Sequence, residues 1–96
     1  MDDVQITVAN FVRLMADYLD GRIDADQYRN NMFDLFKKRM EQLDEATNRT
    51  LQMAYGDADD YDRRIRLSYT IEEPELKKRV KRSLDELASL GHTAPR

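Results

Sequence analysis

The chain has 96 residues, of which 41% are hydrophobic and 36% charged, with a net charge of −3. That length gives one domain with one modest core, and the apolar share is too high for a disordered chain. It has no cysteine, which excludes disulfides and thiolate chemistry, and no apolar run approaches the roughly 20 residues that span a bilayer.

The acidic start, Met1-Asp2-Asp3, lacks the basic and apolar stretches of a signal peptide. A cytoplasmic protein is expected. Apolar residues at Val4, Val8, Phe11, Val12, Met15, Tyr18 and Leu19 follow the i, i+3, i+4, i+7 spacing of one helical face. Asp2 or Asp3 can cap this first helix and Gly21 can stop it. In the second helix Asp24 caps, with Gln27 completing a capping box and Ile23 and Tyr28 placed for a hydrophobic staple. Its inner face is Tyr28, Met32, Leu35, Phe36 and Met40, with Leu43 near the end. The short turn between the two helices predicts antiparallel packing.

Asp44 can cap a third helix with Thr47, Leu51, Ala54 and Tyr55 inside; only that weak cap separates it from the second, which leaves a continuous or kinked helix as the alternative. Gly56 is expected to end it. Ile65, Leu67, Tyr69 and Ile71 alternate with polar residues, the period of an extended segment. A last helix is predicted from Glu73-Pro74, because proline is tolerated in a first turn. Its face is Leu76, Val80, Leu84, Leu87 and Leu90, and Gly91 stops it. The fold class expected is all-α: a small antiparallel four-helix bundle with an extended link before the last helix. Residues 1–91 form its single domain and 92–96 a frayed tail.

Charge is unevenly distributed. Residues 1–62 hold 14 acids and 7 bases, and residues 63–96 hold 5 acids and 9 bases. Four carboxylates, Asp57, Asp59, Asp60 and Asp62, fall within six residues, at a loop or helix end. Their repulsion favours a neutralising partner: a metal ion, a basic surface of another protein, or Arg63, Arg64 and Arg66, which follow at once. Against a calcium loop, Tyr61 and Asp62 stand where the EF-hand pattern needs its third ligand and its glycine. The single histidine, His92, lies in the expected tail, so zinc and carboxylate–histidine iron sites lack ligands. With no metal, no cofactor and no glycine-rich phosphate loop indicated, and a solvated Asp cluster unable to separate its pKa values, the chain does not read as an enzyme.

Two binding readings stand. The acids can occupy a basic protein cleft by imitating phosphate spacing, with Tyr55 and Tyr61 as aromatic anchors and Glu72 and Glu73 widening the face. The bland counterpart is a solvated turn paired with the arginines that follow. The other reading is a helical regulator or adaptor that docks nucleic acid or an anionic partner through Lys77, Lys78, Arg79, Lys81 and Arg82. Glu75–Arg79 and Lys81–Asp85 sit at i, i+4 spacing, however, and can neutralise that run locally.

Asp60-Tyr61-Asp62-Arg63, then Tyr69-Thr70-Ile71-Glu72-Glu73-x-x-Leu76-x-x-x-Val80-x-x-x-Leu84, resemble the colicin D immunity family of bacterial self-protective proteins. The turn Gly21-Arg22-Ile23-Asp24 and the aromatic Tyr28 match it more loosely. The resemblance implies a four-helix bundle that binds a nuclease toxin, an RNase or tRNase in the colicin D case, and fills its basic active-site cleft with acids. The implied partner is the toxin's nuclease domain, with no direct nucleic-acid contact and no membrane. Asp60 and Asp62 carry over by position, and Asp57 and Asp59 by segment only. Upstream, Tyr55-Gly56-Asp57 replaces the family's glutamates and proline, which leaves the contact residues and the toxin open.

Overall fold

The structure, a computed structural model, describes residues 7–38, 42–61 and 71–92. Four helices account for most of them: α1 (Val8–Leu19), α2 (Ala25–Phe36), α3 (Glu45–Asp60) and α4 (Glu73–Ser89). Each packs against its neighbours in sequence, and α4 returns to α1, closing a four-helix ring.

Local chemistry explains most boundaries. Thr7 is the extended N-cap of α1, and its N–H donates to Asn10 Oδ1 at 2.8 Å; the caps expected at Asp2 and Asp3 lie outside the described residues. At α2 the capping box forms as expected, with Gln27 N–H on Asp24 Oδ1 at 2.8 Å and Asp24 N–H on Gln27 Oε1 at 2.9 Å. Gly21, at φ +79°, lets α1 end in a Schellman turn: Arg22 N–H reaches Asp17 C=O and Gly21 N–H reaches Tyr18 C=O. The same pair of bonds closes α4 at Gly91.

Besides the start of α1, capped by Thr7 and not by Asp2 or Asp3, two boundaries differ from the sequence reading. α2 ends at Phe36, short of Met40 and Leu43, because Lys37 and Lys38 N–H turn to the carbonyls three residues back, which tightens and closes the helix. Met40 lies outside the described residues. The second and third helices are therefore separate, and Asp44 caps α3 through Thr47 N–H at 3.1 Å. α3 does not stop at Gly56 but runs four residues further to Asp60. A mid-helix glycine costs about 1 kcal/mol relative to alanine. Burial of Leu51, Ala54 and Ala58 and pairing of Asp57 with α4 offset that cost.

The core is continuous through the ring. Phe11, Met15, Tyr18, Tyr28, Met32, Leu51, Leu76 and Leu87 are fully buried. Tyr18 stacks on Tyr28 at 4.8 Å, joining the end of α1 to the start of α2, and Phe11 meets Phe36 edge-on at 5.3 Å. Those two contacts fix the antiparallel α1/α2 pair. Tyr18 also donates to Glu73 Oε2 at 3.1 Å, tying α1 to the first turn of α4.

The expected extended segment over Ile65, Leu67 and Tyr69 lies outside the described residues. Ile71, its last apolar residue, forms an isolated parallel bridge with Tyr61 and donates its N–H to Asp60 C=O at 3.1 Å. At the other end of the same helix pair, His92 is held rather than frayed. Its N–H reaches Leu87 C=O at 2.9 Å, and its Nε2 lies 3.2 Å from Thr47 Oγ1. The Thr47 hydroxyl proton goes to Asp44 Oδ1 at 2.7 Å, so His92 Nε2–H is the donor. Residues 93–96 lie outside the description.

Candidate acidic face at the α3–α4 junction

The Tyr61–Ile71 bridge brings the last turn of α3 against the first turn of α4. It thereby joins two acidic stretches that the sequence keeps apart, Asp57 to Asp60 and Glu72 to Glu75. α3 has no basic residue in its last turn. Its acids sit at the negative end of the helix dipole, where cations are favoured, whereas Glu73 and Glu75 lie in the first turn of α4, where acids are favoured.

A helix rotates 100° per residue, and that rotation assigns the acids different surroundings. Asp57 follows Ala54 and Thr50 inward and is only 9% exposed. Arg79 Nη1 lies 3.3 Å from its Oδ1, and Arg82 Nη2 lies 3.9 Å from its Oδ2. Burial pushes the Asp57 carboxyl above the ordinary Asp value, against the opposing pull of Arg79 and Arg82. The sequence expectation of a solvated cluster does not hold for Asp57: one turn after the buried Ala54, it shares the core-facing side of the helix.

Asp60 is half-buried, and its Oδ2 lies 3.5 Å from Arg79 Nη1. Glu75 accepts from Arg79 Nε at 3.0 Å. One guanidinium thus gathers three carboxylates from two helices, and its hydrogen bond to Glu75 is the main reason that its own pKa rises. Asp59 is exposed and has no ion-pair partner among the described residues. Tyr55, one turn before Asp59 on the same flank, is 37% exposed and packs on Phe36 at 4.7 Å and on Phe33 at 5.2 Å. Glu72 is exposed, whereas Glu73 is half-buried under its bond from Tyr18. Tyr61 is 6% exposed and belongs to the core, so in the free protein it supports the face from beneath. Asp62, Arg63, Arg64 and Arg66 lie outside the described residues.

The basic run of α4 divides. Arg79 turns inward to the acids, Lys81 pairs with Asp85 at 3.2 Å, and Lys77 and Lys78 remain exposed along an open groove with Leu19 and Pro74. Arg79 and Glu75 are the residues that sequence reasoning under-read. The only sign available was the i, i+4 spacing, which predicted their mutual pair but not the reach across to α3.

Among the described residues no group of three metal-ligating side chains comes together, and no helix is long and apolar enough to cross a membrane. What the arrangement offers is charge presentation on a rigid helical frame, the equipment of a binding protein. The chain belongs to the bacterial self-protective colicin-like immunity family, whose match runs over residues 6–87 and so takes in α1, α2, α3 and nearly all of α4. The family defines an immunity protein whose partner is a toxin protein. No curated protein and no solved structure matches the chain.

Proposed function

We propose that the chain binds and neutralises a nuclease toxin, an RNase or tRNase, in the cytoplasm, by placing the α3–α4 acidic face in the toxin's basic active-site cleft. Asp59, Asp60 and Glu72 present charge to the partner together with Asp62, and Tyr55 offers an aromatic contact beside Asp59. Asp57, Glu73 and Tyr61 hold the face from below. No catalysis and no cofactor is required, since occlusion is stoichiometric.

The observation that carries this reading is the excess of acids where α3 meets α4: Asp57, Asp60 and Glu75 share the single guanidinium of Arg79, and Asp59 and Glu72 stand exposed beside them, at the end of α3 where cations are favoured. Such a patch steers a cationic partner and sets its orientation. The division of the α4 basic run, with Arg79 and Lys81 already paired inside the chain, counts against an adaptor that uses that run on nucleic acid.

The test is capture of the toxin from lysate of the source cell with the tagged chain as bait, at low and moderate salt. Recovery of a basic nuclease domain, lost with Asp59→Lys plus Asp60→Asn, is the expected result. Recovery of nucleic acid instead, lost on neutralising Lys77 and Lys78, would overturn the proposal.

A further inference from the structure

We infer that Arg79 is the positioning residue of the acidic face: it fixes Asp60 and Glu75 in the mutual geometry that the toxin's cationic side chains meet. The inference rests on the reading just proposed and adds to it a residue that touches no partner.

The guanidinium is a planar fork, and here each prong has a different task. Nε holds Glu75 on its own helix at 3.0 Å, while Nη1 reaches across to α3, 3.3 Å from Asp57 and 3.5 Å from Asp60. Asp57 is the fixed end of this bridge. Its side chain is 12% exposed, and its Oδ2 makes no hydrogen bond to the described residues. The Tyr28 hydroxyl, wholly buried and also without a hydrogen bond among the described residues, feels the Asp57 charge from inside the core. Arg79 therefore supplies the only hydrogen bond to the Asp57 side chain among the described residues.

Asp60 and Glu75 are the free ends. Their side chains are 38% and 44% exposed, so each carboxylate meets Arg79 on one side and solvent on the other. Without the bridge, repulsion between the two at the negative end of α3 would splay them apart. Lysine keeps the charge but carries its donors on one nitrogen, and it cannot hold an atom on α4 and two on α3 at once.

Charge and geometry have separate kinetic signatures. Association is steered by net charge, whereas fit at the contact governs dissociation. The experiment is stopped-flow binding to the nuclease domain captured above. The charge-conserving variants are Arg79→Lys and Glu75→Asp; the latter lies at the surface and shortens the reach to Arg79 without endangering the fold. Asp59→Asn, which removes an exposed charge away from Arg79, serves as the comparison.

The expected result is an association rate unchanged within about twofold and a dissociation rate about tenfold faster for both charge-conserving variants, with slower association for Asp59→Asn. If Glu75→Asp and any folded Arg79→Lys dissociate at the parent rate while Asp59→Asn still slows association, the acidic face stands and the role of Arg79 falls. If all three leave both rates unchanged, the acidic-face reading fails, and this inference with it.

Discussion

Arg79 Nη1 lies 3.3 Å from Asp57 Oδ1, across the α3–α4 interface and 22 residues away in sequence. The pair is partly buried, with the Arg79 side chain 28% and the Asp57 side chain 12% exposed. Arg79→Met is therefore expected to destabilise the fold by about 2 kcal/mol, the loss of a hydrogen bond to a charged group, with Arg82 at 3.9 Å offsetting part of the lost charge. Arg79→Met combined with Asp57→Leu should recover at least about 1 kcal/mol of that loss. Urea unfolding of the two single variants and the double closes the cycle, and strictly additive losses would show that the two side chains are not coupled.

The two tyrosines at the α1–α2 corner are chemically alike and differently satisfied. Tyr18 donates to Glu73, whereas the buried Tyr28 hydroxyl has no hydrogen bond among the described residues. Removing a satisfied hydroxyl costs about 1 kcal/mol, and removing a buried unsatisfied one is neutral or favourable. Tyr18→Phe should thus destabilise by about that amount while Tyr28→Phe holds or raises stability. Denaturation midpoints that fell equally for both would contradict the assignment.

Glycine substitutions should have opposite signs. At Gly56, inside α3, an added Cβ meets nothing within 4 Å. Gly56→Ala is expected to stabilise by about 1 kcal/mol, near 5 °C in melting temperature for a domain of this size. Gly21 sits at φ +79°, where a side chain is strained, so Gly21→Ala should cost about 1 kcal/mol. Thermal melts of the two variants check both signs.

Asp44 ties pH to stability. Its carboxyl lies below the ordinary value of 3.8 because it accepts from the Thr47 hydroxyl and N–H, with His92 nearby. A folded-state pKa below the unfolded one contributes stability that is fully present above the unfolded value and is lost as pH falls through the folded one. Asp44→Asn preserves a capping side chain and removes the titration. The parent should lead the variant in urea midpoint at about pH 6, and the lead should shrink steadily below about pH 4. A gap that stays constant over that range would exclude Asp44 as its origin.

Much of the fold is legible residue by residue. Asp24 and Gln27 announced the start of α2, Gly21 and Gly91 the ends of α1 and α4, and Leu76, Val80 and Leu87 the inner face of α4. Gly56 misled because its helix penalty is smaller than the packing energy of the turn it interrupts. His92 was read as tail, yet the Schellman turn at Gly91 carries it back to Thr47.

The sequence by itself determined the four helices, the caps at Asp24 and Asp44 and the presence of a dense acid cluster, because periodicity and capping act over four residues or fewer. Tertiary structure alone decided which acids face outward. Asp57 and Asp59 are two residues apart and close to opposite sides of α3, one against Arg79 and the other in solvent. That difference depends on where α4 lies, and a contact between residues 57 and 79 is set by the closing of the helical ring rather than by any local pattern.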